Sequence, residues 1–154
     1  MISAATIEKL VSQKIANTAL FLVDVKVNLG NKIEVELDEP NHIGLETCRE
    51  ISRFIEANLN RDEEDFELTV SSPGIDEPFK VLKQYEKYKG KQISVLKKDG
   101  IKLIGSLENA NEKEVVLQTK KTERKQLGKG KQTVIENLTI TLNEIKETKL
   151  ILPF

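Results

Sequence analysis

Residues 21–38 read Phe-Leu-Val-Asp-Val-Lys-Val-Asn-Leu-Gly-Asn-Lys-Ile-Glu-Val-Glu-Leu-Asp, and the fold class turns on this stretch. Phe21, Val23, Val25, Val27 and Leu29 alternate with Asp24, Lys26 and Asn28. A period of two puts one face of a strand in a core and the other in water. Ile33, Val35 and Leu37 repeat the pattern against Glu34, Glu36 and Asp38, after Gly30-Asn31, a pair suited to a tight hairpin turn. Pro40 ends the second strand. On both sides the period becomes helical. Ile7, Leu10, Val11 and Ile15 predict an amphipathic helix from about Ala4 to Asn17. Cys48, Ile51, Ile55 and Leu59, with Phe54 beside them, predict a second from about Leu45 to Leu59, with Gly44 at its N-cap. Asp62-Glu63-Glu64-Asp65 reads as a solvated loop, and Phe66, Leu68 and Val70 alternate in a third strand. Helix, strand, strand, helix, strand is the order of a two-layer α+β domain with a largely antiparallel sheet.

Ser71-Ser72-Pro73-Gly74 break the third strand, and Pro78 follows. A short helix is predicted from Val81 to Tyr88. The first domain is expected over residues 1–80, a linker carrying the short helix over 81–90, and a second domain over 91–154. From Lys91 onward every cue is β. Ile93 and Val95 open a strand. Asp99-Gly100 has the composition of a type I′ turn. Ile101, Leu103, Gly105 and Leu107 continue, with Gly105 at a bend or bulge. Val115, Leu117 and Thr119, then Val134 to Ile140, then Ile145 to Leu152, complete the set. Five short strands predict a small all-β barrel.

The 154 residues carry 24 Lys/Arg against 25 Asp/Glu, a near-neutral total that hides an asymmetry. Residues 1–80 hold 8 Lys/Arg and 16 Asp/Glu, a net −8; residues 81–154 hold 16 and 9, a net +7. Two modules with different partners are implied, the basic one suited to a polyanion and the acidic one to a basic partner. A single cysteine, Cys48, excludes an intramolecular disulfide and fits a reducing compartment. No stretch approaches the roughly 20 apolar residues of a membrane span, and Glu8, Lys9 and Lys14 interrupt any signal-like run. A cytoplasmic protein without membrane contact is expected.

The residues that could carry chemistry are few. His42, the only histidine, falls in a polar loop and has no evident partners for acid–base work. Cys48 lies on the apolar face of a helix, where a free cysteine acts as a small hydrophobe. One histidine and one cysteine cannot supply the usual zinc ligands within one chain. Ser71 and Ser72 stand beside a turn but lack the spacing of a nucleophile elbow, and no phosphate-binding glycine loop is present. Neither catalysis nor a cofactor is expected. The strongest signal is basic: Lys120, Lys121, Arg124, Lys125, Lys129 and Lys131 face a single acid, Glu123. Such a segment can lie along phosphates and release counterions. It contains no aromatic residue, so backbone contact rather than base stacking is the expected mode.

From Phe66 to Pro78 the chain reads Phe-Glu-Leu-Thr-Val-Ser-Ser-Pro-Gly-Ile-Asp-Glu-Pro. This resembles the bacterial ribosome maturation factor RimP family, whose aromatic-x-leucine-x-valine-serine-serine-proline-glycine run usually continues leucine-aspartate-arginine-proline. Residues 21–25, 35–40 and 43–52 are similar to that family's first two strands and its cysteine-bearing helix start. Tyr88-Lys89-Gly90 and the terminal Leu150-Ile151-Leu152-Pro153-Phe154 also fit. Glu77 departs, standing where the family usually has arginine. The resemblance implies a first domain laid out like bacterial-type (type II) KH domains and a second that is an Sm-like, SH3-like barrel. The glycine-x-x-glycine clamp of KH domains is missing, so KH-style RNA binding does not follow.

The resemblance further implies a monomeric, non-enzymatic factor for late assembly of the precursor small ribosomal subunit, associated with ribosomal RNA and with small-subunit protein twelve. The basic residues named above are then the candidate RNA contacts. Ser71, Ser72, Pro73, Gly74, Asp76 and Pro78 form a candidate motif surface. Glu34, Glu36, Asp38 and Glu39 form a candidate acidic surface for a ribosomal protein. The alternative is a general RNA-binding regulator with a ring-forming Sm-like barrel, against which the lack of a convincing second Sm motif counts. A hydrolase using Ser71 or Ser72 would lack its base. Treatment with a hydroxyl-reactive phosphonate is therefore expected to leave both serines unlabelled by mass spectrometry, and stoichiometric labelling of either would contradict that expectation.

Overall fold

The computed structural model describes residues 1–124, 128 and 130–152, with 121–124 described by backbone alone. The chain divides into two units, Met1–Gly74 and Ile75–Phe154. It is mixed α+β, and its described strands form a three-stranded and a five-stranded sheet. None of its described helices is long and apolar enough to cross a membrane.

In the first unit, Ser3 opens α1 (Ala4–Ile15) by accepting a hydrogen bond from the Thr6 amide at 3.2 Å. Asn17, at φ 64°, turns the chain away, a conformation asparagine tolerates better than most residues. β1 (Phe21–Asn28) and β2 (Lys32–Asp38) pair antiparallel. α2 (Leu45–Ala57) then crosses back, and β3 (Glu67–Ser71) pairs with β2 in parallel, from Lys32 with Glu67 to Glu36 with Ser71. The sheet order is β1-β2-β3. The pairing thus differs from the largely antiparallel sheet expected. A helix between two strands returns the chain to the end it started from, so the second strand enters parallel. Ile7 and Val11 of α1, Ile33, Val35 and Leu37 of β2, and Cys48, Ile51 and Ile55 of α2 share one core with Ile43 and Phe66. Burial there pushes the Cys48 thiol above its ordinary pKa, which favours the uncharged form.

The β1–β2 turn is fixed by a buried polar residue. Asn31 takes φ 53° and is 9% exposed. Its side-chain oxygen accepts from the Ile2 amide at 3.0 Å. Its side-chain nitrogen donates to Glu64 at 3.2 Å and to the Asp65 carbonyl at 3.1 Å. Its own carbonyl accepts from the Glu67 amide at 3.0 Å, where β3 begins. One asparagine therefore joins the start of the chain, the hairpin and the acidic loop.

In the second unit, α3 (Leu82–Lys87) precedes β4 (Gln92–Lys97), β5 (Lys102–Ala110), β6 (Glu114–Arg124), β7 (Lys131–Thr141), a single 3-10 turn (Leu142–Glu144) and β8 (Ile145–Leu150). All pairings are antiparallel and the order is β7-β6-β5-β4-β8. Ile93, Val95, Leu107, Val115, Leu117 and Ile140 form the core with Tyr85. The Tyr85 hydroxyl donates to the buried Thr148 hydroxyl at 2.8 Å. The Phe79 amide donates to the Thr148 carbonyl at 2.8 Å, and the Phe79 ring meets Tyr85 edge-on at 5.0 Å. Gln84, also buried, accepts from the Lys80 and Val81 amides with its side-chain oxygen. The short helix anticipated between the domains is thus packed within the second unit.

Two glycines shape this sheet. At the β4–β5 turn Gly100 takes φ 93° while Asp99 does not enter the left-handed region. The Gly100 amide donates to the Lys97 carbonyl at 3.0 Å. This is a three-residue loop, a type I turn followed by a left-handed glycine, in place of the type I′ turn that Asp-Gly suggests. Gly105 lies where β5 bends over β6. A Cβ there would intrude on the Gln118 carbonyl oxygen and come within 3.0 Å of the Leu117 side chain. Gly105→Ala is expected to lower the thermal stability of the second unit by about 1–3 kcal/mol, read by calorimetry on the whole chain. Burial holds the Tyr85 phenol above its ordinary pKa, outweighing the opposing Thr148 hydrogen bond. The neutral phenol therefore stabilises the unit fully below the ordinary tyrosine pKa, and that stability falls as pH rises through the raised value. Tyr85→Phe is expected to cost about 1–2 kcal/mol at neutral pH and to reduce the alkaline loss measured in a pH series of melts.

Candidate nucleic-acid interface and acidic strand

The basic segment is built on strand rather than loop. β5 pairs with β6 only through Val115 to Gln118. Beyond Gln118, β6 pairs with β7 alone, from Thr119 with Glu136 to Arg124 with Lys131. Among the described residues this makes a two-stranded arm continuing past the sheet. Six paired positions satisfy the backbone of a segment the sequence leaves looking like a polar loop. Lys120 and Lys131 are exposed on the arm. Lys121 and Arg124 stand in register with Val134 and Lys131, while their side chains lie outside the described residues, as do Lys125 and Lys129 altogether. The arm brings four of the six candidate RNA contacts onto one short ribbon.

The register adds neighbours the sequence did not indicate. Lys120 is paired with Ile135, which is 59% exposed. Gln118 is paired with Ser106 on one side and Asn137 on the other, and its side-chain amide reaches Asn137 at 3.4 Å. Two residues before Ser106 comes Ile104, 55% exposed and paired with Ser94, which is paired in turn with Lys149. Residues 149, 94 and 104 thus form one row and residues 120 and 135 another, carried by five strands, and no spacing in the chain hints at either row.

The acidic residues of β2 are less uniform than their alternation implies. Glu34 is exposed and Glu36 and Glu39 are half-buried, but Asp38 is 3% exposed. Glu34 is in register with Lys26 and Thr69, and Glu36 with Asp24 and Ser71. Asp38 is therefore not an accessible member of the acidic surface. Ser71, at the end of β3, and Ser72 are exposed, Pro73 is half-buried and Gly74 is exposed; all belong to the first unit. Asp76, exposed, and Pro78, half-buried, belong to the second. The serine-serine-proline-glycine run thus ends where one unit gives way to the other. His42 is exposed in the loop before α2.

The residue that sequence reasoning missed is Asn31. It was read only as a turn former, whereas its side chain makes three hydrogen bonds across 29 to 34 positions of chain. Its partner Glu64 also pairs with the terminal ammonium of Met1 at 3.1 Å. These hydrogen bonds, to the ammonium first and to Asn31 second, hold the Glu64 carboxyl below its ordinary pKa.

Comparison with known proteins gives the chain its family. The family model described as the RimP N-terminal domain matches residues 7–76. A ribosome maturation factor RimP from Christiangramia forsetii is 37% identical over 138 residues, 90% of this chain and 90% of that protein. One from Flavobacterium psychrophilum is 37% identical over 136 residues, covering 88% and 87%. One from Porphyromonas gingivalis is 34% identical over 147 residues, covering 96% and 97%. The chain belongs to the ribosome maturation factor RimP family. Asn31→Ala is expected to destabilise the first unit by about 1–2 kcal/mol, because a buried side chain would give up three hydrogen bonds to more exposed partners; chemical denaturation followed by circular dichroism measures it.

Proposed function

We propose that this chain is a binding factor, without a catalytic step of its own, for the maturing small ribosomal subunit. The observation that carries the reading is identity of 34–37% to ribosome maturation factors over 88% or more of the chain. The charge division supports it. The first unit, residues 1–74, has 7 Lys/Arg and 14 Asp/Glu, a net −7; the second, residues 75–154, has 17 and 11, a net +6. The basic segment, with Lys120, Lys121, Arg124, Lys125, Lys129 and Lys131, meets ribosomal RNA through its phosphates. The acidic strand, through Glu34, Glu36 and Glu39, favours a basic ribosomal protein, with small-subunit protein twelve as the partner. An acidic unit laid directly on RNA would be repelled, whereas a basic protein can bridge the two.

In the same reading, the first unit has the layout of a bacterial-type KH domain without its clamp, and the second is an Sm-like barrel. The segment from Ser71 to Pro78 is a contact surface, and the factor is a cytoplasmic monomer. It assists assembly by binding an immature arrangement more tightly than the mature one, the only way binding can shift that balance. Co-sedimentation is expected to be stronger with precursor than with mature small subunits, and equal binding to both would remove the reading. A stable ring of copies in size exclusion would move it towards a general RNA-binding regulator. Reversing Lys120, Lys121 and Lys125 to Glu is expected to weaken binding to precursor particles. The same change should flatten the plot of log affinity against log salt by about two to three, since each phosphate contact contributes about 0.7–0.9. An unchanged slope would dismiss the arm as the RNA contact.

A further inference from the structure

We propose that the outer face of the five-stranded sheet, around Ile104 and Ile135 with Lys102, Lys120 and Lys149, is a docking surface for an unpaired segment of RNA. The inference rests on the reading just given and specifies where, and in what form, RNA meets the second unit.

The face is defined by register. Lys149, Ser94 and Ile104 form one continuous row across β8, β4 and β5. Lys120 and Ile135 form another across β6 and β7. The pair Ser106 and Gln118 connects them, each two residues along its own strand from Ile104 and from Lys120. Side chains two apart on a strand share a face, so both rows look outward from the core that Leu107 and Leu117 enter. Lys102 is exposed and lies two residues before Ile104. On this face Glu147 is paired with Lys149 at 3.3 Å, and Glu108, half-buried, lies two residues beyond Ser106.

The composition selects the partner. Two isoleucines more than half exposed amid lysines gain nothing from water, and their burial is worth about 25 cal/mol per Å² covered. A basic ribosomal protein would meet lysines of its own sign, and a second copy would set these lysines against each other. Duplex RNA presents mostly phosphates and ribose hydroxyls and leaves little for isoleucine to cover. An unpaired segment presents base and ribose faces alternating with phosphates, which matches isoleucines flanked by lysines. With no aromatic ring in either row, the surface holds the strand without reading its sequence.

The test uses the whole chain and an unstructured twelve-nucleotide oligouridylate, with a duplex of equal length as comparison, binding being measured by fluorescence anisotropy across a salt series. Lys102→Gln with Lys149→Gln is expected to flatten the salt slope for the single strand by about 1.4, at about 0.7 per phosphate. Ile104→Thr with Ile135→Thr is expected to weaken single-strand binding about fivefold with the slope unchanged, because an apolar contact releases no counterions. Duplex binding is expected to be indifferent to the isoleucine changes. If the double isoleucine variant does not melt like the parent chain, the two single variants decide. Unaltered single-strand affinity in a normally melting isoleucine variant would overturn the proposal, as would preferential binding of polyglutamate, which would make the face a site for an acidic protein. Co-sedimentation separates this from the broader reading. If the parent chain ignores precursor subunits, the maturation role falls. If it binds them and the face variants bind equally well, this inference alone falls.

Discussion

Each unit is small and is closed by hydrogen bonds between segments far apart in the chain. Domains of such size bury only about 60% of the surface their unfolded chains expose. With 5 Phe, 2 Tyr and no Trp in the whole sequence, aliphatic side chains must fill most of both cores. In the first unit Asn31 sits between the opening residues and the loop before β3. In the second, Tyr85 reaches across 63 positions to Thr148, and the Phe79 amide reaches the same residue's carbonyl. A buried polar group is costly when unmet, so each contact specifies one arrangement as well as stabilising it. These contacts tie α3 and the segment before it to β8, and the β1–β2 turn to the loop before β3.

How much of this was legible follows from where a face is buried. β2 was plain because Ile33, Val35 and Leu37 enter a core in alternation; in β1 the register shifts between Leu22 and Asp24, so that Leu22, Val25 and Val27 pack against that core while Leu29 is 89% exposed. The arm was not legible, because among the described residues Thr119 to Arg124 and Lys131 to Glu136 pair only with each other, and their sequence carries no apolar alternation. The parallel entry of β3 was missed because strand residues look alike in either direction; only the crossover through α2 decides it. Asn31 looked like an ordinary turn residue because its partners lie beyond any local window. The burial of Asp38 defeats alternation in the opposite sense, since its position in β2 predicts an exposed acid. The motif from Ser71 to Pro78 marked the family well, while the unit boundary fell inside it.

The division of charge matters because the two signs are carried by separate units. Within a single small domain, seven excess acids and six excess bases would largely cancel at distances beyond about 8–10 Å, the screening length near physiological salt. Each unit carries a net charge of its own sign, so the total describes neither of them. The near-neutral total is then no guide to what the protein binds. A chain judged by its overall pI of about 6.0 would be ranked as an unlikely companion of nucleic acid.

The pleat of the arm constrains how its length could change. Six strand residues beyond the sheet extend the ribbon by about 20 Å, at roughly 3.3 Å per residue. Because residues 119–124 pair with β7 alone among the described residues, paired residues can be added or removed there without altering the register of Leu107, Val115 or Leu117. The pleat constrains the step. Adding two residues to each strand lengthens the ribbon and keeps every earlier side chain on its side, whereas shifting one strand by a single residue turns that strand's outward set to the other face. In this ribbon a paired extension by two residues is the step that keeps both faces as they are.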